Sequence, residues 1–183
     1  MQPAGRYIYH RVPNKIFGQI LYPLNRLKAI YPELYAATVK NYAGREWVMK
    51  MRIPILDCLW NDVLHFSPVH PTKIRDGLVA AGFSRKTRTY FEIDPEQIGF
   101  NSENAVIFWH KLYRPDQRQL PAADFEPFYL ESLARLTEVP QATIAYYRES
   151  RLRGQPTLTY LYVPHILFKG TIDVRALNII EVK

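Results

Sequence analysis

Strand-like runs stand at both ends of this chain, and helix-like segments are inserted between the early ones. "RYIYHRV" (6–12) carries the Tyr, Ile and Val of an extended segment and closes on the breaker "PN". "PTLTYLYVPHILFKGTIDVRALNIIEV" (156–182) is β-rich to its end. The pattern is α+β: two small sheets packed around a cleft, with the terminal strands buried centrally.

The segments between can be placed from their spacing. In 18–44, Leu24, Leu27 and Ile30 lie on one helix face, and Pro32 opens a second helix through Leu34, Tyr35 and Val39, with Gly44 as its stop. "WVMKMRIPIL" (47–56) is extended or ends a helix, and "CLWNDVLHFSPVHP" (58–71) is a strand running into a proline-punctuated loop. "PTKIRDGLVAAGF" (71–83) is a short helix capped by Thr72 and ended by Gly82. "RTYFEID" (88–94) is a strand, "NAVIFWHKLY" (104–113) is apolar and ambiguous, and "AADFEPFYLESLARLTEV" (122–139) reads as one or two helices with Leu130, Leu133 and Leu136 on one side.

At 183 residues the chain is expected to form one domain, 1–183. Hydrophobic residues make up 48 % and charged residues 22 %, which suits a folded core and argues against global disorder. No apolar run approaches the ~18 residues of a membrane span. The N-terminus lacks an apolar signal core, so the expected location is the cytoplasm. A single cysteine, Cys58, excludes an internal disulfide and a cysteine-based zinc site. The net charge of +7 is uneven: residues 1–91 carry 14 Lys and Arg against 5 Asp and Glu, and residues 92–183 carry 10 against 12. A basic half of this kind favours an anionic partner, a nucleic acid or a dinucleotide, and is equally the pattern of surface lysines that serve solubility.

Five histidines are present, and no pair has the i,i+4 spacing of a helical metal site, so no metal is expected. His10, between Tyr9 and Arg11 at a strand end, either donates to ribose or phosphate or caps a turn. Arg52, in the apolar "VMKMRIP", calls for a fixed anionic partner, which is a phosphate or else Asp57 or Asp62. Trp60, in "WNDVLHFSP" with Ser67, offers a stacking surface for a base or nicotinamide, or packs in the core. His165, at the mouth of the apolar "HILF" run, is a core histidine, a ligand or a residue in a catalytic position.

Taken in order along the chain, these segments resemble the ADP-ribosyltransferase superfamily, and within it the DarT-type DNA ADP-ribosyltransferases. "YIYHRVP" is similar to the family's first strand ending in His, "VMKMRIPIL" to its Lys/Arg segment, and "NDVLHFSPVHP" to its strand running into a proline–serine loop. "NSENAVIF" and "HILFKGTIDVRALNIIEV" are similar to its later segments. The resemblance implies split mixed β-sheets around an NAD cleft. It also implies an NAD-dependent mono-ADP-ribosyltransferase activity on DNA or another nucleobase acceptor, and an antitoxin protein as partner. Carried over by position, it puts His10 with Tyr9 and Arg11 at the NAD ribose, Arg52 at the NAD phosphates, and Trp60 with Ser67 beside the nicotinamide.

His165 falls where that family keeps its catalytic glutamate. A neutral imidazole can act as a base near pH 7, but it supplies no negative charge opposite an oxocarbenium-like centre. Losing that stabilisation costs about 3–4 kcal/mol, 10²–10³ in rate. Three outcomes stay open at the level of sequence. The chemistry has changed, or the chain binds NAD or nucleic acid without transfer, or the carboxylate comes from Asp173, Glu181 or Glu149. A metal-free nucleic-acid enzyme using His10 and His165 as acid and base is the remaining alternative, and it requires both imidazoles in one cleft.

Overall fold

The computed structural model describes residues 5–14, 16, 18–111 and 118–183. It opens with β1 (Ile8–Arg11) and β2 (Ile20–Leu21), followed by α1 (Leu24–Ile30) and α2 (Pro32–Val39). β3 (Arg52–Ile53), β4 (Cys58–Leu59) and β5 (Leu64–Phe66) lead to α3 (Pro71–Ala80) and β6 (Arg88–Ile93). The single-turn α4 (Pro95–Ile98) precedes β7 (Ala105–Phe108) and β8 (Phe125–Pro127), and α5 (Gln141–Leu152) precedes β9 (His165–Phe168), β10 (Ile172–Asp173) and β11 (Asn178–Val182).

The architecture is α+β with several small sheets. One has the order β1-β6-β11, another β5-β9-β7-β8, and β2-β10 and β3-β4 are two-stranded. Every pairing among the described residues is antiparallel, so the expected mixed sheets are corrected to antiparallel ones. The two larger sheets are joined at one point. The Tyr9 N–H donates to the Ser67 carbonyl at 2.8 Å, and the Ser67 N–H donates back to the Tyr9 carbonyl at 2.9 Å.

Alternation along the strands sorts the side chains onto two faces. Ile8, Phe91 and Ile93 of the first sheet meet Leu64, Phe66, Ile107, Ile166 and Phe168 of the second in the main core. The opposite face of the second sheet packs Val63, Val106, Phe108 and Leu167 against Ile53 and Leu56. Burial on both faces explains why β7 ("AVIF") is a continuous apolar run without alternation, and it resolves the ambiguity of 104–113 in favour of a strand. β9 sits in the interior of its sheet, as expected for a terminal strand. β11 does not: it is an edge strand, and Ile179 is 57 % exposed.

Local departures from expectation have local causes. Pro71 takes the first position of α3, so the cap moves back to His70, whose Nδ1 accepts from the Thr72 N–H at 3.2 Å; Thr72 is not the cap. Gly82 ends the segment with a φ of +90°, in the left-handed region open to glycine. The stretch 122–139 is not α-helical. Its Phe125–Pro127 pairs with β7, and 3₁₀ turns at Ala122–Asp124 and Leu130–Arg135 flank it. Leu133 and Leu136 are buried three residues apart, the period of a 3₁₀ turn. α5, unread in the sequence, buries Thr143, Tyr147 and Ser150 along one face. By contrast, no residue from 24 to 50 is buried.

Gly170 marks a close approach. A methyl group there would overlap the Phe168 ring, which is itself stacked on Phe100 with centroids 4.0 Å apart and 12° between planes. Gly170→Ala is expected to destabilise the fold by roughly 1–3 kcal/mol. Thermal denaturation should show a fall of several degrees; an unchanged melting temperature would mean that the ring moves aside without cost.

Candidate functional site

The face of the first sheet that carries Arg11, Arg88 and Tyr90 continues onto the face of the second that carries His165 and Phe108. Across this joined face lies a cavity of about 550 Å³. The 3₁₀ turn Glu46–Lys50 brings Trp47 to one wall, with Tyr42 and Arg45 beside it, and the segment before β9 brings Thr157 and Tyr160 to another. The volume lies within the range of small-molecule sites.

Its electrostatics are one-sided. Arg11, Arg45 and Arg88 line it, and among the described residues no Asp or Glu does. Its walls are aromatic: Tyr42, Trp47, Trp60, Tyr90 and Tyr160. Two buried polar atoms in the lining, His165 Nδ1 and Thr157 Oγ1, have no hydrogen-bond partner within the protein. A buried polar atom left unpaired costs about 1–3 kcal/mol, so a ligand that bonds to either recovers part of that.

His165 is surrounded by other rings. The centroids of Phe108, Tyr160 and His110 stand 6.2, 6.3 and 6.5 Å from its own. Burial pushes its pKa down to about 3, with His65 and His110 acting in the same direction and the Val163 carbonyl opposing weakly from outside hydrogen-bond geometry. His65 is likewise lowered by burial, to about 4, and its Nε2 lies 3.0 Å from the Trp60 carbonyl; the neutral ring therefore carries its proton on Nε2 and donates it there. His110 is also lowered by burial, against the pull of Asp124. At neutral pH this face presents uncharged imidazoles below cationic arginines.

The residues expected from sequence are divided between places. Arg11, Trp60 and His165 line the cavity. His10 points to the other face of β1, where its ring packs edge-on to Phe66 and its Nδ1 lies 2.7 Å from the Arg11 carbonyl. It lines a separate, mainly apolar recess of about 200 Å³ with Leu24, Leu27 and Leu64. His10 and His165 therefore lack the shared cleft that an acid–base pair requires. Tyr9 is buried, edge-on to His70, and burial beside Glu92 raises its pKa. The Ser67 hydroxyl is occupied locally, donating to the Val69 carbonyl at 3.2 Å and accepting from its N–H at 3.1 Å. Arg52 stands outside the cavity, 62 % exposed, and pairs with Asp57, the first of its two protein alternatives. The alternative carboxylates are elsewhere too: Asp173 pairs with Arg175, Glu149 with Arg153 and Glu181 with Lys183.

Sequence reasoning passed over Arg45, Arg88, Trp47, Thr157 and Tyr160. Part of the signal for Arg88 was present, because Arg88 and Tyr90 alternate on β6; the pairing of Tyr90 with Arg11 is what puts them on the cavity face. Trp47 and Tyr160 come from short turns without periodicity. Among the described residues, no group of three or more His, Cys, Asp or Glu is placed to hold a metal ion, and no helix is long and apolar enough to cross a membrane. Comparisons with protein-family models, curated proteins and solved structures found no match.

The lowered pKa of His165 sets a pH dependence. The unfolded chain binds this proton near pH 6.5 and the folded chain only near pH 3, so the stability is fully present above about 6.5 and is lost as pH falls towards 3. His165→Gln removes the proton site while keeping a neutral polar group. Its melting temperature is expected to fall less steeply than that of the wild type between pH 6.5 and 3. Parallel curves would show that His165 is solvated and titrates normally.

Proposed function

We propose that the cavity binds a nucleotide, and that the chain is an ADP-ribosyltransferase-like protein taking NAD there. The observation that carries this reading is the combination of three arginines, aromatic walls and no lining carboxylate among the described residues, in a space of about 550 Å³. Guanidinium groups suit a pyrophosphate, through paired charge-assisted hydrogen bonds. Indole and phenol rings suit a stacked base or nicotinamide. The unpaired His165 Nδ1 and Thr157 Oγ1 suit the carbonyl, amide and hydroxyl groups of the same ligand.

The arginines in this reading are Arg11, Arg45 and Arg88, in place of the Arg52 that the resemblance implied. His165 lines the cavity as well. As a neutral imidazole it can donate or accept a hydrogen bond at the nicotinamide ribose, and it gives no charge to an oxocarbenium-like centre. Binding is therefore favoured over transfer, and any transfer to a nucleic-acid acceptor is slow.

Titration calorimetry with NAD⁺ tests the binding. The wild type should release or absorb heat saturably and gain thermal stability, and Arg11→Ala should weaken binding by about tenfold or more. No heat and no thermal shift with NAD⁺ or AMP would overturn the reading. A second experiment addresses transfer. His165→Glu places a carboxylate on the floor and is expected to raise nicotinamide release by about 10²–10³ in the presence of DNA. An NAD-binding variant with no such rise would show that position 165 is not where the reacting carbon sits.

A further inference from the structure

A smaller recess of about 60 Å³ lies beside the main cavity, lined in part by Arg75, Ser84, Lys86 and Arg88. Arg88, Tyr90 and Thr159 line both spaces, so the two share a wall. Resting on the nucleotide reading of the main cavity, we propose that this recess is a phosphate subsite. Cavity and recess would together take a nucleotide that carries a second phosphoryl group away from the first, on a ribose hydroxyl.

Size is the first argument. At about 60 Å³ the recess is far smaller than the main cavity, and it suits a compact tetrahedral anion better than a base or a sugar. Charge is the second. Among the described residues neither Lys86 nor Arg88 makes an ion pair with a carboxylate. Arg75 does: its guanidinium is held by Asp76 at 2.6 Å and by the backbone oxygen of Lys183. It is therefore a fixed donor whose charge is largely balanced, and Lys86 with Arg88 supplies the net positive field. A phosphoryl group brings a charge of about −1.5 to −2 and three strong acceptor oxygens, which two cations and the Ser84 hydroxyl can meet.

Position is the third argument. Arg88 begins β6 opposite Val182 of β11, so its side chain stands at the end of the sheet where the cavity opens towards the recess. A cation shared by both spaces is suited to a ligand that spans them, and a single isolated phosphate would have no use for the main cavity's aromatic walls.

The test is calorimetry on the full chain with two matched pairs, AMP against adenosine 3′,5′-bisphosphate and NAD⁺ against NADP⁺. The additional phosphate should tighten binding by about tenfold in at least one pair. Lys86→Ala with Ser84→Ala, both exposed positions outside the main cavity, should abolish that preference while leaving AMP and NAD⁺ affinities unchanged. Equal affinities within both pairs, or a preference that survives the double substitution, would overturn the subsite and leave the nucleotide reading standing. Failure of all four ligands to bind would overturn both. A response to a single-stranded oligonucleotide alone would overturn the subsite as stated and point to strand binding.

Discussion

Two backbone hydrogen bonds between Tyr9 and Ser67 join the two main sheets, and the facing of the strand residues that line the cavity follows from them. In an antiparallel pair, residues directly opposite each other point to the same face. The bridge therefore puts Tyr9, Arg11 and Tyr90 on the face that carries His65 and His165, and it sends Ile8, His10, Phe66 and Ile166 into the opposite one. A slip of one residue at this joint would exchange the two sets, placing an apolar row in the cavity and arginine in the core. Ser67 is suited to the joint because its hydroxyl is satisfied within its own turn, by Val69, and makes no demand on the core.

The same alternation explains what was legible beforehand. Segments with a clear period or a strong breaker were readable: β1, β6, the paired helices broken at Pro32, and α3 with its glycine stop. Runs that are apolar on both faces, such as β7, were ambiguous because a twice-buried strand has no alternation to read. The leucines at 130, 133 and 136 misled because a spacing of three fits a 3₁₀ turn as well as a helix face. Of the residues that line the cavity, Arg11, Trp60 and His165 were singled out from the sequence, and Arg45, Arg88 and Trp47 were not. His10 and Arg11 are neighbours in sequence, and a strand sends neighbours to opposite sides; choosing between them required the register. Arg52 called for a fixed anionic partner because its neighbours are apolar, and it lies on a two-residue strand whose outward position leaves it in solvent with Asp57.

The floor and walls of the cavity differ in electrical character, and the difference is built by burial. Desolvation keeps the imidazoles of His65 and His165 uncharged, and thereby removes like-charge repulsion beneath the arginines. A charged imidazole at His165 would repel Arg11 and Arg88, which line the same cavity.

The wall formed by residues 24 to 50 has a further consequence. It contributes Tyr42, Arg45, Trp47 and Val48 to the cavity and no buried residue to either core. The sheets hold the floor with most of the buried apolar surface, so the wall detaches at a lower free-energy cost than the floor unfolds. Few contacts tether it: the Tyr42 hydroxyl donates to Asn61 at 2.9 Å, and the Arg118 guanidinium lies 4.4 Å from the Trp47 ring centroid. On the nucleotide reading, a ligand stacked between this wall and the sheets would hold the two together, and part of its binding energy would go to that ordering.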